Sequence, residues 1–183
     1  MRDGTIVARE DARTALVLYA ARQLGRPYIW ADLDCSGFVV ECLSQVARSW
    51  PDLYDGIDRS SQGLFDYFLL PRGMDEKVRS SILKVEDLRP GMLIFYYDRS
   101  SNLRQERVFH VAIHAMTVPP FAAESGTGAQ EVGPVSIEAG GGGSANVTPR
   151  ASLIRPAGVR FAASDRHGSA SWKALDPFVL LEG

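Results

Sequence analysis

The chain has 183 residues, 45% of them hydrophobic and 23% charged, with a formal net charge of −2. This is ordinary globular composition, enough for one core and short for two full domains. A pI of about 5.9 excludes the broad basic surface that nucleic acid or an anionic membrane would require.

The first predicted helix runs from Glu10 to Leu24. Ala12, Ala15, Leu16, Tyr19, Ala20 and Gln23 recur at three- and four-residue spacing, and Gly25 is a good stop. Gly25-Arg26-Pro27 turns the chain. A second helix is expected from Cys35 to Ser49, where Cys35, Phe38, Val39, Cys42, Leu43 and Val46 form a single apolar stripe with Asp34 as its N-cap. Trp50 to Arg59 reads as loop, and Ser61 to Leu69 as a short helix ended by Pro71-Arg72-Gly73. Leu83 to Arg89 leads into the turn Pro90-Gly91. Met92 to Tyr97 is a buried strand, Asp98 to Glu106 a polar connection, and Val108 to Met116 a second strand, together a hairpin with a long loop. Val118 to Pro134 reads as a surface insertion, Val135 to Glu138 as a short strand, and Gly140 to Ser144 as a flexible loop. Val159 to Phe161 and Phe178 to Leu181 each offer a further strand. Helices first and strands later predict a single α+β domain, with the N-terminal helices packed on an antiparallel sheet.

Met1 to Thr5 lacks the basic, apolar, small-residue layout of a secretory signal. No apolar run approaches the roughly 18–20 residues that span a bilayer. The expectation is a soluble chain made in the cytoplasm, without membrane insertion; a substrate outside the cell would require delivery by a phage or a non-standard export route. Cys35 and Cys42 lie seven residues apart in one predicted helix, roughly 10 Å by helical rise, so they should be free thiols.

Cys35 opens its helix, where unpaired N–H groups and the helix dipole favour a thiolate. His110 follows 75 residues later in a strand. The pair reads as a nucleophile with its base, and a third group should orient the base. Glu138, at the end of the next strand segment, is the best placed carboxylate. The plainer readings are a core hydrophobe for Cys35, which is the stronger reading for Cys42, and a structural role for a strand histidine. By alternation His110, Ala112 and His114 share a face, so periodicity does not choose between the two histidines. They could also form half of a metal site, but no further ligand cluster has the right spacing, so no metal is expected. His167 lies in a polar tail and reads as solvated. The four-glycine run has no Lys-Ser/Thr after it and opens no helix, so it is no phosphate loop, and no cofactor is called for.

These segments together resemble the NlpC-type bacterial cell-wall cysteine peptidases. Gly25-Arg26-Pro27-Tyr28-Ile29-Trp30 and Asp34-Cys35-Ser36-Gly37-Phe38-Val39 are similar to that family's nucleophile region. Arg59-Ser60-Ser61-Gln62 is similar to its Arg-x-Ser-x-Gln segment. Leu88-Arg89-Pro90-Gly91-Met92-Leu93-Ile94-Phe95 is similar to its Pro-Gly-Asp-Leu strand start, with Met92 in place of the acid. His110-Val111-Ala112-Ile113-His114 is similar to its His-Val-Gly-Ile-Tyr, which selects His110 as base. Ile137-Glu138-Ala139 falls where the family has Ile-His-Ala, with Glu138 in the orienting position. Ala31-Asp32-Leu33 stands where the family has Gly-Gly. The resemblance covers residues 12–148, leaving 149–183 as a C-terminal extension.

The resemblance implies a papain-like α+β fold and an amidase or endopeptidase with catalytic Cys35, His110 and Glu138. Tyr28 and the Ser36 N–H, or that of Cys35, would serve substrate or oxyanion contacts. The implied substrate is a peptidoglycan stem peptide or a related small γ-linked peptide, cleaved between D-γ-glutamate and a diamino acid. Two alternatives stand beside it. One is a papain-like acyltransferase or amidase on a non-wall substrate, motivated by Ala31-Asp32-Leu33 and the missing signal. The other is a non-catalytic phage or secretion-associated module with a relic site.

Overall fold

The computed structural model describes residues 9–47, 58–69, 87–98, 107–117, 134–140, 158–163 and 171–178. Three helices come first: α1 (Arg9–Arg22), α2 (Cys35–Ala47) and α3 (Ser61–Leu69). Five strands follow: β1 (Leu93–Asp98), β2 (Arg107–Thr117), β3 (Pro134–Gly140), β4 (Gly158–Ala163) and β5 (Ser171–Leu175). They make one antiparallel sheet in the order β4-β3-β2-β1-β5. The α+β architecture expected from the element order is present. Within the range 149–183, β4 and β5 supply the two outermost strands of the sheet.

Alternation along the strands sorts their side chains onto two faces. Leu93, Phe95, Tyr97, Val111, Ile113, Ala115, Ile137 and Ala139 join the helices' stripes (Leu16 and Ala20; Phe38, Val39, Cys42 and Leu43; Leu64 and Phe65) in the main core. Phe65 of α3 meets Phe95 of β1 edge to face at 5.2 Å. The other face carries a smaller buried cluster of Leu88, Met92, Ile94, Tyr96, Ala112 and Ala174. Met92, where the resembled family has an acid, is only 5% exposed, and a carboxylate there would be stranded in apolar surroundings.

The start of β1 is fastened to α1. Gly91 has φ +86, and a Cβ on it would fall 2.6 Å from Cβ of Arg13, so only glycine lets the turn lie on the helix. Arg13 in turn pairs with Asp176 at 2.7 Å, tying α1 to the residue just after β5. The backbone bonds from Gly91 N–H to the His114 carbonyl and from His114 N–H to the Met92 carbonyl, both 2.8 Å, extend the β1–β2 pairing beyond the strand proper.

Several expectations shift by a residue or two at element ends, and one strand was not anticipated. β5, at Ser171–Leu175, was not among the expected strands, and of the strand expected over Phe178 to Leu181 only Phe178 lies within the described residues. Phe178 is fully buried in a turn, its N–H bonded to Asp176 Oδ1 at 2.9 Å. Ser171-Trp172-Lys173-Ala174-Leu175 pairs with β1 and alternates faces, with Lys173 over the rings of Tyr97 and Phe65 at 5.0 and 5.8 Å. A lysine whose stem and charge lie on aromatic rings is compatible with an edge strand. The expected insertion is outside the described residues except for Pro134, which begins β3; the loop after Gly140, the segments 50–57 and 99–106, and His167 also lie outside them. Among the described residues no helix is long and apolar enough to cross a membrane.

Between α1 and α2 the chain makes a tight turn, with Asp32 N–H bonded to the Ile29 carbonyl at 3.0 Å and a bridge from Ile29 to Leu33. Ala31 takes φ 61 there, the left-handed position that such turns usually assign to glycine. Ala31→Gly should therefore raise stability by about 0.5–1 kcal/mol, a gain of a few degrees in thermal midpoint by calorimetry; a lower midpoint would count against a strained Ala31.

His114 is fully buried, and its pKa is pulled down to about 4 by burial, against a hydrogen bond to the Val135 backbone. Its folded value lies below the ordinary 6.5, so the folded state resists protonation. The associated stability is complete above about 6.5 and drains away as pH falls toward about 4. Between pH 7 and 4.5, wild type should lose about 2–3 kcal/mol more than His114→Gln in urea unfolding. Equal losses in the two proteins would remove His114 as the cause.

Candidate active site

Asp34 caps α2 as the sequence predicts. Its Oδ1 accepts the Gly37 N–H at 2.8 Å and its carbonyl accepts the Phe38 N–H at 2.9 Å. Ser36 is buried, its Oγ donating to Asp34 Oδ1 and to the Arg59 carbonyl, both at 3.0 Å. That hydroxyl is committed to structure, so only the Ser36 backbone could meet a ligand. Gly37 is required by close approach: a Cβ would run into the Asp32 carbonyl oxygen and the Arg59 guanidinium, which bond to each other across the first turn of α2. The cap and this crossing set the direction in which Cys35 leaves the helix.

The ladder between β2 and β3 ends at the Ile113–Ile137 pair. The site lies immediately beyond it. The same register puts Ser136 and Glu138 on the face of Ala112 and His114, opposite the helices, with Glu138 a diagonal step from His110. His110 Nε2–H donates to Glu138 Oε2 at 2.8 Å, with both side chains largely buried. The imidazole also hydrogen-bonds the Cys35 sulfur, which the Nε2–Glu138 bond leaves to Nδ1. The Val111 N–H and the Ser61 hydroxyl complete the surroundings of the sulfur, Ser61 Oγ lying 3.4 Å from it. The Tyr96 ring packs against the His110 ring at 5.7 Å, tilted by 36°.

The structure thus brings Cys35, His110 and Glu138 together and separates the two histidines by their contacts. His110 contacts the thiol, whereas His114 is tied to the backbone of β3. Tyr28 packs against the same core as Cys35, its pKa raised by burial and then by the charges of Cys35 and Asp34. Cys42 is buried one heptad on, and burial pushes its thiol up, as suits a core residue. Both cysteines are free. No group of three or more His, Cys, Asp or Glu suited to a metal occurs among the described residues. Sequence reasoning passed over Ser61 and Tyr96 as site residues. Ser61 was visible at the start of a predicted helix, whereas nothing in the pattern around Tyr96 marks it as a neighbour of the base.

Burial opposes charge on both members of the central pair, and specific contacts overcome it. Cys35 is pushed up by burial but brought below its ordinary value by His110, Ser61 and the Val111 N–H. His110 is pushed down by burial but raised to about 9 by Cys35 and Glu138. The two contacts act in the same direction, each favouring the thiolate–imidazolium arrangement over the neutral pair. Such a pair can attack an electrophilic carbon and return the proton to a leaving group.

No family model and no curated protein matches this chain.

Glu138→Gln keeps an acceptor oxygen but removes the charge that raises His110. The His110 ring should titrate near pH 9 in wild type and at clearly lower pH in the variant, read from its ring-proton shifts by NMR. An unmoved titration would show that the Glu138 charge does not govern the ring.

Proposed function

We propose that this chain is a papain-like cysteine amidase or endopeptidase that hydrolyses peptidoglycan stem peptides at a γ-D-glutamyl–diamino acid bond. The observation that carries the chemistry is the His110 ring hydrogen-bonded on one side to the Cys35 sulfur and on the other to Glu138 Oε2 at 2.8 Å. The substrate class is supported by the resemblance of the segments around Tyr28, Cys35, Gly91 and His110 to NlpC-type enzymes.

The Cys35 thiolate attacks the amide carbonyl carbon, and the carbonyl π electrons move to oxygen. The Ser36 N–H, or that of Cys35, and the Tyr28 hydroxyl would meet that oxyanion in this reading. As the C–N bond breaks, imidazolium His110 gives its proton to the departing amine. Neutral His110 then takes a proton from water, whose oxygen attacks the thioester and releases the acid and the Cys35 thiolate. Glu138 holds the ring in place and stabilises its charged form.

Incubating the protein with purified muropeptides should release fragments whose masses locate the cut after γ-D-glutamate, and Cys35→Ser should reduce the rate by about 10⁴-fold or more. Rapid alkylation of Cys35 without fragment release would move the assignment to an acyltransferase or amidase acting on another substrate. Alkylation no faster than that of a free peptide cysteine would leave only a non-catalytic module.

A further inference from the structure

Two helices begin at one sulfur. α2 starts at Cys35, and α3 starts at Ser61, whose Oγ lies 3.4 Å from Cys35 Sγ. The cap of α3 is provided one residue earlier. The Ser60 hydroxyl accepts the Gly63 N–H at 2.9 Å, and the Ser60 carbonyl accepts the Leu64 N–H at 2.8 Å. That leaves the Ser61 hydroxyl for the sulfur. Ser61 is 9% exposed, and a hydroxyl so enclosed needs a partner.

Its position is fixed from three sides. The Arg59 carbonyl accepts the Ser36 hydroxyl at 3.0 Å, fastening the approach to α3 onto the first turn of α2. Asp58 Oδ1 accepts the Ser60 N–H at 3.1 Å. Gln62 Oε1 accepts the Val108 N–H at 2.9 Å, fastening α3 to β2 two residues before His110. The backbone that places the nucleophile and its base therefore also sets the distance from the Ser61 hydroxyl to the sulfur.

We propose that Ser61 is a further catalytic residue, its hydroxyl donating a hydrogen bond to the Cys35 thiolate and holding that anion ready between turnovers. The inference rests on the reading of Cys35 as the nucleophile. An anionic sulfur is a strong acceptor, whereas a thiol or thioester sulfur is a weak one. The bond is therefore strongest in the resting ion pair and again when the thiolate is released. The thiol proton resides on His110 in both of these states, and Ser61 keeps its own throughout the cycle. Ser61 adds to the lowering of the Cys35 thiol by His110 and Val111.

A stabilised thiolate is more abundant at low pH but intrinsically less reactive. With a Brønsted slope of about 0.4–0.5, tenfold more thiolate costs about threefold in nucleophilicity. Ser61 should then speed the reaction on the acid side and slow it slightly on the alkaline plateau. This crossover is something that mere packing would not produce.

The test is the rate of Cys35 alkylation by iodoacetamide from pH 5 to 10, read by mass spectrometry of the Cys35 peptide, in wild type, Ser61→Ala and Ser61→Thr, with circular dichroism as the fold control. Ser61→Ala should move the midpoint to higher pH, lower the rate at pH 6 about threefold and leave the plateau equal or higher. Ser61→Thr, which retains the hydroxyl, should follow wild type. A Ser61→Ala curve superimposed on a fast wild-type curve would overturn the role of Ser61 alone. So would an equal loss at every pH in both variants. A wild-type Cys35 no faster than a free peptide cysteine would instead overturn the nucleophile reading beneath it.

Discussion

The carboxylate of Glu138 is 2% exposed, in the middle of a strand between Ile137 and Ala139. A charge taken that far from water costs several kcal/mol unless it is paired with good geometry. His110 supplies the partner at 2.8 Å, and its ring is raised to about 9 although its own burial pulls the other way. The imidazolium then lies against the Cys35 sulfur and favours the anion there. One compensated charge on the sheet is thus transmitted through a single ring to a thiol at the start of a helix. The Tyr96 ring alongside His110 narrows the orientations in which this transfer is available.

This arrangement requires three elements to meet, and separate contacts hold each junction. The Asp34 cap and Ser36–Arg59 bond hold the start of α2, Gln62–Val108 holds α3 to β2, and Gly91 against Arg13 holds β1 to α1. The β2–β3 ladder ends at Ile113–Ile137, and beyond it backbone hydrogen bonding gives way to side chains: Val111 N–H bonds a sulfur rather than a facing strand. Regular sheet positions the site, and the end of that regularity makes room for it.

The parts of this that local physics controls were legible in the sequence. The stripe from Cys35 to Val46, the Asp34 cap, the turn at Pro90-Gly91 and the β1–β2 hairpin each follow from periodicity or turn chemistry within a dozen residues. The strand that carries Glu138 was also legible, and it lies beside the strand of His110. Non-local pairing was not. Ser171–Leu175 went unremarked as a strand, because its mixed polar and apolar residues do not report which backbone β1 recruits. Alternation put His110 and His114 on one face and stopped there; their different partners are decided by α2 and β3, which lie far away in the chain. Ser61 was missed for a related reason: a serine at a helix start is read first as a cap, and only the fold shows Ser60 in that role.

β4 closes one flank of the sheet against β3, and β5 closes the other against β1, yet both follow Cys35, His110 and Glu138 in the chain. During synthesis all three residues leave the ribosome while β1 and β3 still present open edges. Such edges are templates for pairing with other chains. The chain thus passes through an interval in which Cys35, His110 and Glu138 are all made before the sheet around them is sealed, and at an elongation rate of about 5–20 residues per second that interval lasts on the order of seconds. The two late strands therefore act as the closing step of maturation, and a chain stopped short of them would be exposed to aggregation before it could work.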